Sequence, residues 1–160
     1  PVIYSPDEKF PIGGSKIVRS SDRDRVTLIG AGITLHEALK AYDRLKKEGI
    51  AARVIDLYSV KPVDVQTLHQ AARDTNGNLI VVEDHWVEGG LGAAVQDAFA
   101  GIGTAPTYGD TNLSLIKLAV REMPGSGTPE ELLHAAKIDA DAIVEAARSL
   151  VKQSAWIPTE

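Results

Sequence analysis

Apolar and polar positions along this chain follow two periods in alternation. Short β-branched or aliphatic runs read as strands, and stretches with apolar residues three and four apart read as helices. Lys16–Arg19 is a short candidate edge strand, and Val26–Ile29 is a β-branched run that stops at Gly30. Leu35, Ala38, Leu39, Tyr42 and Leu45 then recur at helical spacing up to Gly49, a suitable helix end. Thr34 and Glu37 stand at the spacing of a capping box, which predicts the start of that helix. Arg53–Tyr58 reads as the next strand, and Asp64 precedes a helix carrying Val65, Leu68, Ala71 and Ala72. After the turn signal Asn76-Gly77, Leu79–Val82 is continuously apolar, the pattern of a central strand covered on both faces. It gives way to Glu83-Asp84-His85. Leu91, Ala94, Val95, Ala98 and Phe99 mark another helix, and Ser114–Val120 a last strand. Thr128-Pro129-Glu130-Glu131 is a second capping-box sequence with proline at the first helical position. Asp139 caps a final helix with Ile143, Ala146, Ala147, Leu150 and Val151 on one face.

Strands separated by single helices imply right-handed crossovers and a parallel sheet between helical layers. The fold expected is therefore α/β, a three-layer α/β/α sandwich around about five strands. Residues 1–15 hold three prolines and Gly13-Gly14 and read as a linker arm. The domain proper is expected at 16–153, with 154–160 as a frayed tail. Gly101–Asn112 reads as a glycine- and threonine-rich loop.

A length of 160 residues with 44% hydrophobic positions suits one core. The balance of 17 basic and 22 acidic residues, net charge −5, argues against nucleic-acid partners. The early cluster Lys9, Lys16, Arg19, Arg23 and Arg25 is interleaved with Asp7, Glu8, Asp22 and Asp24, a mixed solvated surface. No apolar run approaches the roughly 20 residues of a membrane helix. The absence of cysteine excludes disulfides, thiolate metal sites and a cysteine nucleophile. Pro1–Phe10 lacks the pattern of a signal peptide. The missing initiator Met fits a processed chain or a piece of a longer one.

Two segments carry candidate chemistry. Gly30-Ala31-Gly32 lies between a strand and a helix, the layout of a dinucleotide site, and the acidic Asp56 closes the next strand. The third glycine of that fingerprint is replaced by Leu35, which breaks the pattern. Glu83-Asp84-His85, followed by Glu88, Gly89, Gly90 and Gly92, is placed at the carboxyl edge of the sheet, where α/β proteins usually put ligands. Carboxylates beside an imidazole suit acid–base or metal chemistry, and the glycines would expose amides at a helix start. Successive strand residues face opposite ways, however, so a structural turn or an interface loop is the plainer reading. Gly30, Gly32, Gly90 and Gly92 are thus weak cofactor-binding candidates. Glu83, Asp84, His85, Glu88 and Gly89 are interface or loop candidates. His36, His69 and His134 are dispersed on helices without metal-ligand spacing, and Ser126 does not sit in a nucleophile elbow. No residue is assigned a catalytic or metal-binding role.

The order of these motifs resembles one family. Val26–Leu39, Val54-Ile55-Asp56 through Val60-Lys61-Pro62-Val63-Asp64, Val82–His85 with Glu88–Gly92, and Ser126–Leu133 are similar to the C-terminal domain of transketolases, especially the animal-type branch. Val2-Ile3-Tyr4 and Gly14–Val18 resemble the segment joining that domain to the preceding one. Gly125 stands where many members carry a basic residue, and Gly103–Asn112 is longer than usual.

The resemblance implies a mixed five-stranded sheet with one antiparallel edge strand, which Lys16–Arg19 would supply. It implies a complete enzyme that moves a two-carbon ketol unit between sugar phosphates, with thiamine diphosphate and magnesium or calcium. The motifs that hold that cofactor belong to the other domains of the family and do not occur in this sequence. The chain itself is then expected to hold no cofactor and to be inactive alone. It would support assembly with the remaining domains or a complementary subunit, self-associate, and reside in the cytoplasm. A C-terminal interaction domain of a 2-oxo acid dehydrogenase β subunit and a nucleotide-binding regulatory domain are the alternatives.

Overall fold

A computed structural model describes residues 1–100 and 112–155, the last two without their side chains. The chain order is β1 (Lys16–Arg19), β2 (Val26–Gly30), α1 (Ile33–Lys47), β3 (Ala52–Asp56), α2 (Val65–Asp74), β4 (Asn78–Trp86), α3 (Leu91–Phe99), β5 (Ser114–Val120), α4 (Pro129–Ala135) and α5 (Ala140–Ala155). The strands form one sheet in the order β1-β3-β2-β4-β5. β3, β2, β4 and β5 run parallel, and β1 pairs antiparallel with β3. This is the expected mixed five-stranded α/β/α architecture with its antiparallel edge.

Alternation along the strands divides the core. Val26, Leu28, Val54, Ile80 and Val82 face α1 and α5, whose Leu35, Ala38, Leu45, Ile143, Ala147 and Leu150 cover them. Ile29, Ile55, Leu79 and Val81 face α2 and α3, against Leu68, Ala71, Ala72, Val95 and Phe99. Leu28, Ile29, Ile55 and Ile80 are fully buried. Burial of each such side chain contributes about 1.5–3 kcal/mol. Polar groups at the amino end of the sheet are paired with one another. Arg53 reaches Asp24 and Asp74, and Thr27 meets Thr75.

Several local expectations are revised. No capping box forms at Thr34. Helix α1 begins earlier, after Gly32 at φ +60°, and the Thr34 hydroxyl donates to the Ala31 carbonyl. Glu37 is buried instead and accepts from the Ala140 amide at 3.0 Å, capping α5 across the layer. β4 continues beyond Val82 through Trp86 because it keeps pairing with β5, Trp86 opposite Val120. β3 stops at Asp56, two residues short of Tyr58. α5 reaches Ala155, past the start of the expected tail. The capping box at Thr128 and Glu131 forms as the sequence predicts, and Asp139 accepts from the Ala142 amide at the start of α5. The loop expected at Gly101–Asn112, apart from Asn112, and the segment 156–160 lie outside the described residues.

The segment before β1 folds back onto the sheet edge. The Tyr4 hydroxyl donates to Asp56 at 2.8 Å, and the Phe10 ring stands edge-on between Tyr4 and Tyr58. Ser15 donates to Asp64, the residue that also caps α2.

Candidate functional site at the carboxyl end of the sheet

The turn from β2 into α1 passes through Gly30-Ala31-Gly32. A Cβ on Gly30 would lie 3.0 Å from the backbone of Thr34 and Leu35, so the glycine serves the tightness of the turn itself. Asp56 lies opposite Gly30 in the β2–β3 register. Its position matches that of a ribose-binding acid, yet its carboxylate is taken by the Tyr4 hydroxyl. Burial pushes the Asp56 carboxyl above its usual range, against the opposing pull of the Tyr4 hydrogen bond. Burial, followed by that same hydrogen bond, pushes the Tyr4 phenol up. The arm therefore fills the place where a dinucleotide would need the acid free.

The second segment is built around Glu83. Strand alternation turns Glu83 inward, 3% exposed, while Asp84 on the other face is exposed. Its Oε2 accepts from the Gly92 amide at 3.0 Å, at the start of α3. Its Oε1 has no hydrogen-bond partner. The glycines are demanded by this carboxylate. A Cβ on Gly90 would fall 2.1 Å from Glu83 Oε2 and 2.6 Å from His85 Nδ1. A Cβ on Gly92 would fall 2.1 Å from Lys117 Cδ and 2.6 Å from Glu83 Oε1. His85 Nδ1 lies 2.7 Å from the Trp86 carbonyl. Lys117, reaching over from β5, donates to the Val87 carbonyl at 2.6 Å and to Gln96 Oε1 at 3.1 Å.

The structure thus brings together Glu83, His85, Gly90 and Gly92, and adds Lys117. Sequence reasoning passed over Lys117, although a lone lysine within the apolar run Ser114–Val120 was a signal. Asp84, Glu88 and Gly89 remain at the surface, and Gly30 and Gly32 belong to a separate corner.

Chemically, these side chains hold a loop. Each charged or ring group of the cluster faces the protein's own backbone, with one carboxylate oxygen left over. Beside it, a groove of about 850 Å³ runs between the end of β5 and α4, bordered by Asp84 and Ile33 and lined by Leu118, Val120, Leu132 and Leu133. Met123 and Trp86 are exposed nearby in sequence, at 90% and 48%. A side chain at 125 would meet open space, so the glycine there is not required by packing.

Two of the dispersed histidines have local partners. His69 Nε2 lies 2.8 Å from the Ala98 carbonyl, and His134 Nδ1 lies 2.7 Å from Asp139. Among the described residues, His134, Asp139 and Asp141 form the one group with metal-type ligands close together. It is largely exposed, and Asp141 is paired with Arg44. With Asp141 engaged by Arg44 and the group open to solvent, nothing among the described residues around it marks a thiamine diphosphate–metal site. Among the described residues no helix is long and apolar enough to cross a membrane.

Comparison with known proteins agrees with this architecture. Residues 15–143 match the family described as transketolase, C-terminal domain. The chain is 46% identical over 150 residues to the transketolase of Rattus norvegicus, covering 94% of this chain and 23% of that protein. It is 44% identical over 153 residues to that of Homo sapiens, covering 96% and 23%. The chain therefore spans under a quarter of the length of these curated relatives. Among solved structures, an inactive β4 tetramer of a split-gene transketolase superposes with TM-score 0.81 at 34% identity, over 95% of this chain and 46% of that one. The transketolase of Campylobacter jejuni shares the fold at TM-score 0.61 and 13% identity, over 92% of this chain and 20% of that one. With the sheet order, the glycine corner and the sequence match in agreement, the chain belongs to the transketolase C-terminal domain family.

Proposed function

We propose that this chain is the supporting, non-catalytic C-terminal part of a transketolase. The complete enzyme transfers two-carbon ketol units between sugar phosphates in the cytoplasm, with thiamine diphosphate and magnesium or calcium held elsewhere. The observation that supports this reading is the fate of the polar cluster at the sheet edge. Glu83 is bonded to the Gly92 amide, and Lys117 to the Val87 carbonyl and Gln96. Groups so engaged shape a corner rather than meet a substrate. The acid that a dinucleotide site would need is likewise spent on the Tyr4–Asp56 contact, which disfavours a nucleotide-binding regulator.

The segment 1–15 acts in this reading as the arm from the preceding domain, 16–153 as the domain, and Asp84–Gly89 as part of the surface toward the rest of the enzyme, with Glu83 holding that corner from inside. Exposed Ile33, Trp86 and Met123 suit contact with the remaining domains, a complementary subunit or a second copy. The β4 assembly of the split-gene relative supports an ability to self-associate. Sedimentation of the chain over a range of concentrations tests this. Reversible dimers or larger species are expected, and a strict monomer at high concentration would count against it.

A further inference from the structure

The cluster under α3 contains one unmet requirement. Glu83 is buried, and its Oε1 has no partner among the atoms around it. A buried carboxylate oxygen without a donor is unfavourable, and a donor is close by. The place a Cβ would take on Gly92 lies 2.1 Å from Lys117 Cδ and 2.6 Å from Glu83 Oε1. The two side chains therefore face each other across the space that the glycine leaves open. The Lys117 ammonium lies two bonds beyond Cδ, so rotation about the last torsions carries it from one set of acceptors to the other.

In the position seen, the ammonium bonds the Val87 carbonyl and Gln96 Oε1. Val87 opens the segment that runs through Glu88 and Gly89 to Gly90, at the exposed end of the sheet. We propose that Lys117 is a two-position latch. In one position it ties down the Val87–Gly90 loop and leaves Glu83 Oε1 bare. In the other it pairs with Glu83 and releases the Val87 carbonyl, so the loop opens. The position seen satisfies the Val87 carbonyl and Gln96 Oε1 and leaves Glu83 Oε1 unmet, and the other position reverses this. Two positions that each leave an acceptor unmet form an equilibrium whose populations a single substitution shifts. Glycine at 92 is what makes the exchange possible, since any side chain there would stand between the two partners.

Backbone nitrogen order parameters from Val87 to Gly90 test the latch in the 160-residue chain, with the Ile80 and Val81 amides as the rigid reference. Lys117→Met removes the tie and is expected to lower the loop's order parameters below about 0.6. Glu83→Gln removes the competing charge while keeping an acceptor for the Gly92 amide, so Lys117 stays on Val87. The loop's order parameters are then expected to rise to about 0.85, the level of the strands. The double variant should behave like Lys117→Met. Were Glu83 only a structural cap, Glu83→Gln would leave these order parameters unchanged or lower, and either result overturns the latch. Should Glu83→Gln not fold, relaxation of the wild-type Lys117 Cε decides: an order parameter below about 0.6, or exchange broadening, supports two positions, and an unbroadened Cε at about 0.85 overturns them.

Discussion

Replacing Gly92 by alanine probes the corner most sharply. The added methyl would sit 2.1 Å from Lys117 Cδ, 2.9 Å from Lys117 Cγ and 2.6 Å from Glu83 Oε1. Carbon atoms pack at about 3.5–4.0 Å, so the lysine stem must shift by more than 1 Å (about the difference). That side chain is anchored at both ends, on its strand and on the Val87 carbonyl. Overpacking of this kind costs about 1–3 kcal/mol, and a lost hydrogen bond to a charged group about 1.5–3 kcal/mol. A total of ~3 kcal/mol is expected, or a fall in Tm of about 9 °C for a chain of this length. Urea unfolding of Gly92→Ala, Lys117→Ala and the double variant measures it. With the lysine stem removed, the cost of Gly92→Ala should drop to about 1 kcal/mol, a coupling of ~2 kcal/mol. Additivity within about 0.5 kcal/mol would show that Lys117 does not impose the glycine and would refute the reasoning.

Other outcomes follow from the same geometry. Glu37→Ala strips the cap from the Ala140 amide and should destabilise by about 1–3 kcal/mol, whereas Glu37→Gln keeps an acceptor and should cost under ~1 kcal/mol in the same urea experiment. Asp56 and Asp64 should show opposite pH signatures. The Asp56 carboxyl is held above its ordinary 3.8 by burial, so its ionised form is disfavoured in the fold. Asp56→Asn should therefore match or exceed the wild type in stability at pH 7, an advantage that fades as pH falls through the raised value to below 3.8. Asp64 is also desolvated, but bonds from Thr67 and Ser15 outweigh that and hold it below 3.8. Its contribution is present above 3.8 and is lost as pH falls through the lowered value, so Asp64→Asn should be destabilising at pH 7 and neutral in strong acid. Thermal melts from pH 7 down to about pH 2 distinguish the two.

What could be read in the chain beforehand was whatever its local pattern determines. Leu79–Val82 announces a strand covered on both faces, and β4 is buried over those residues. Thr128 and Glu131 form their capping box because both partners lie within one turn. The same pattern at Thr34 misleads because Gly32, at φ +60°, starts the helix sooner. Glu37 is then free to serve α5, over a hundred residues further on, a pairing no local spacing encodes. The candidate site divides in the same way. Alternation places Glu83 inward and Asp84 outward. Lys117 joins Glu83 only because β5 pairs beside β4, and that neighbour relation is tertiary. The four glycines were visible as corner formers, but only the positions of Glu83, His85 and Lys117 explain why 90 and 92 must lack side chains.

In the proposed function the reactive apparatus lies outside these residues. Isothermal titration of the 160-residue chain with thiamine diphosphate and magnesium, paired with a ketose-phosphate turnover assay, is the decisive measurement. No saturable heat and no turnover are expected. Stoichiometric binding of the cofactor by this chain, or transfer of a ketol unit by it alone, would contradict it.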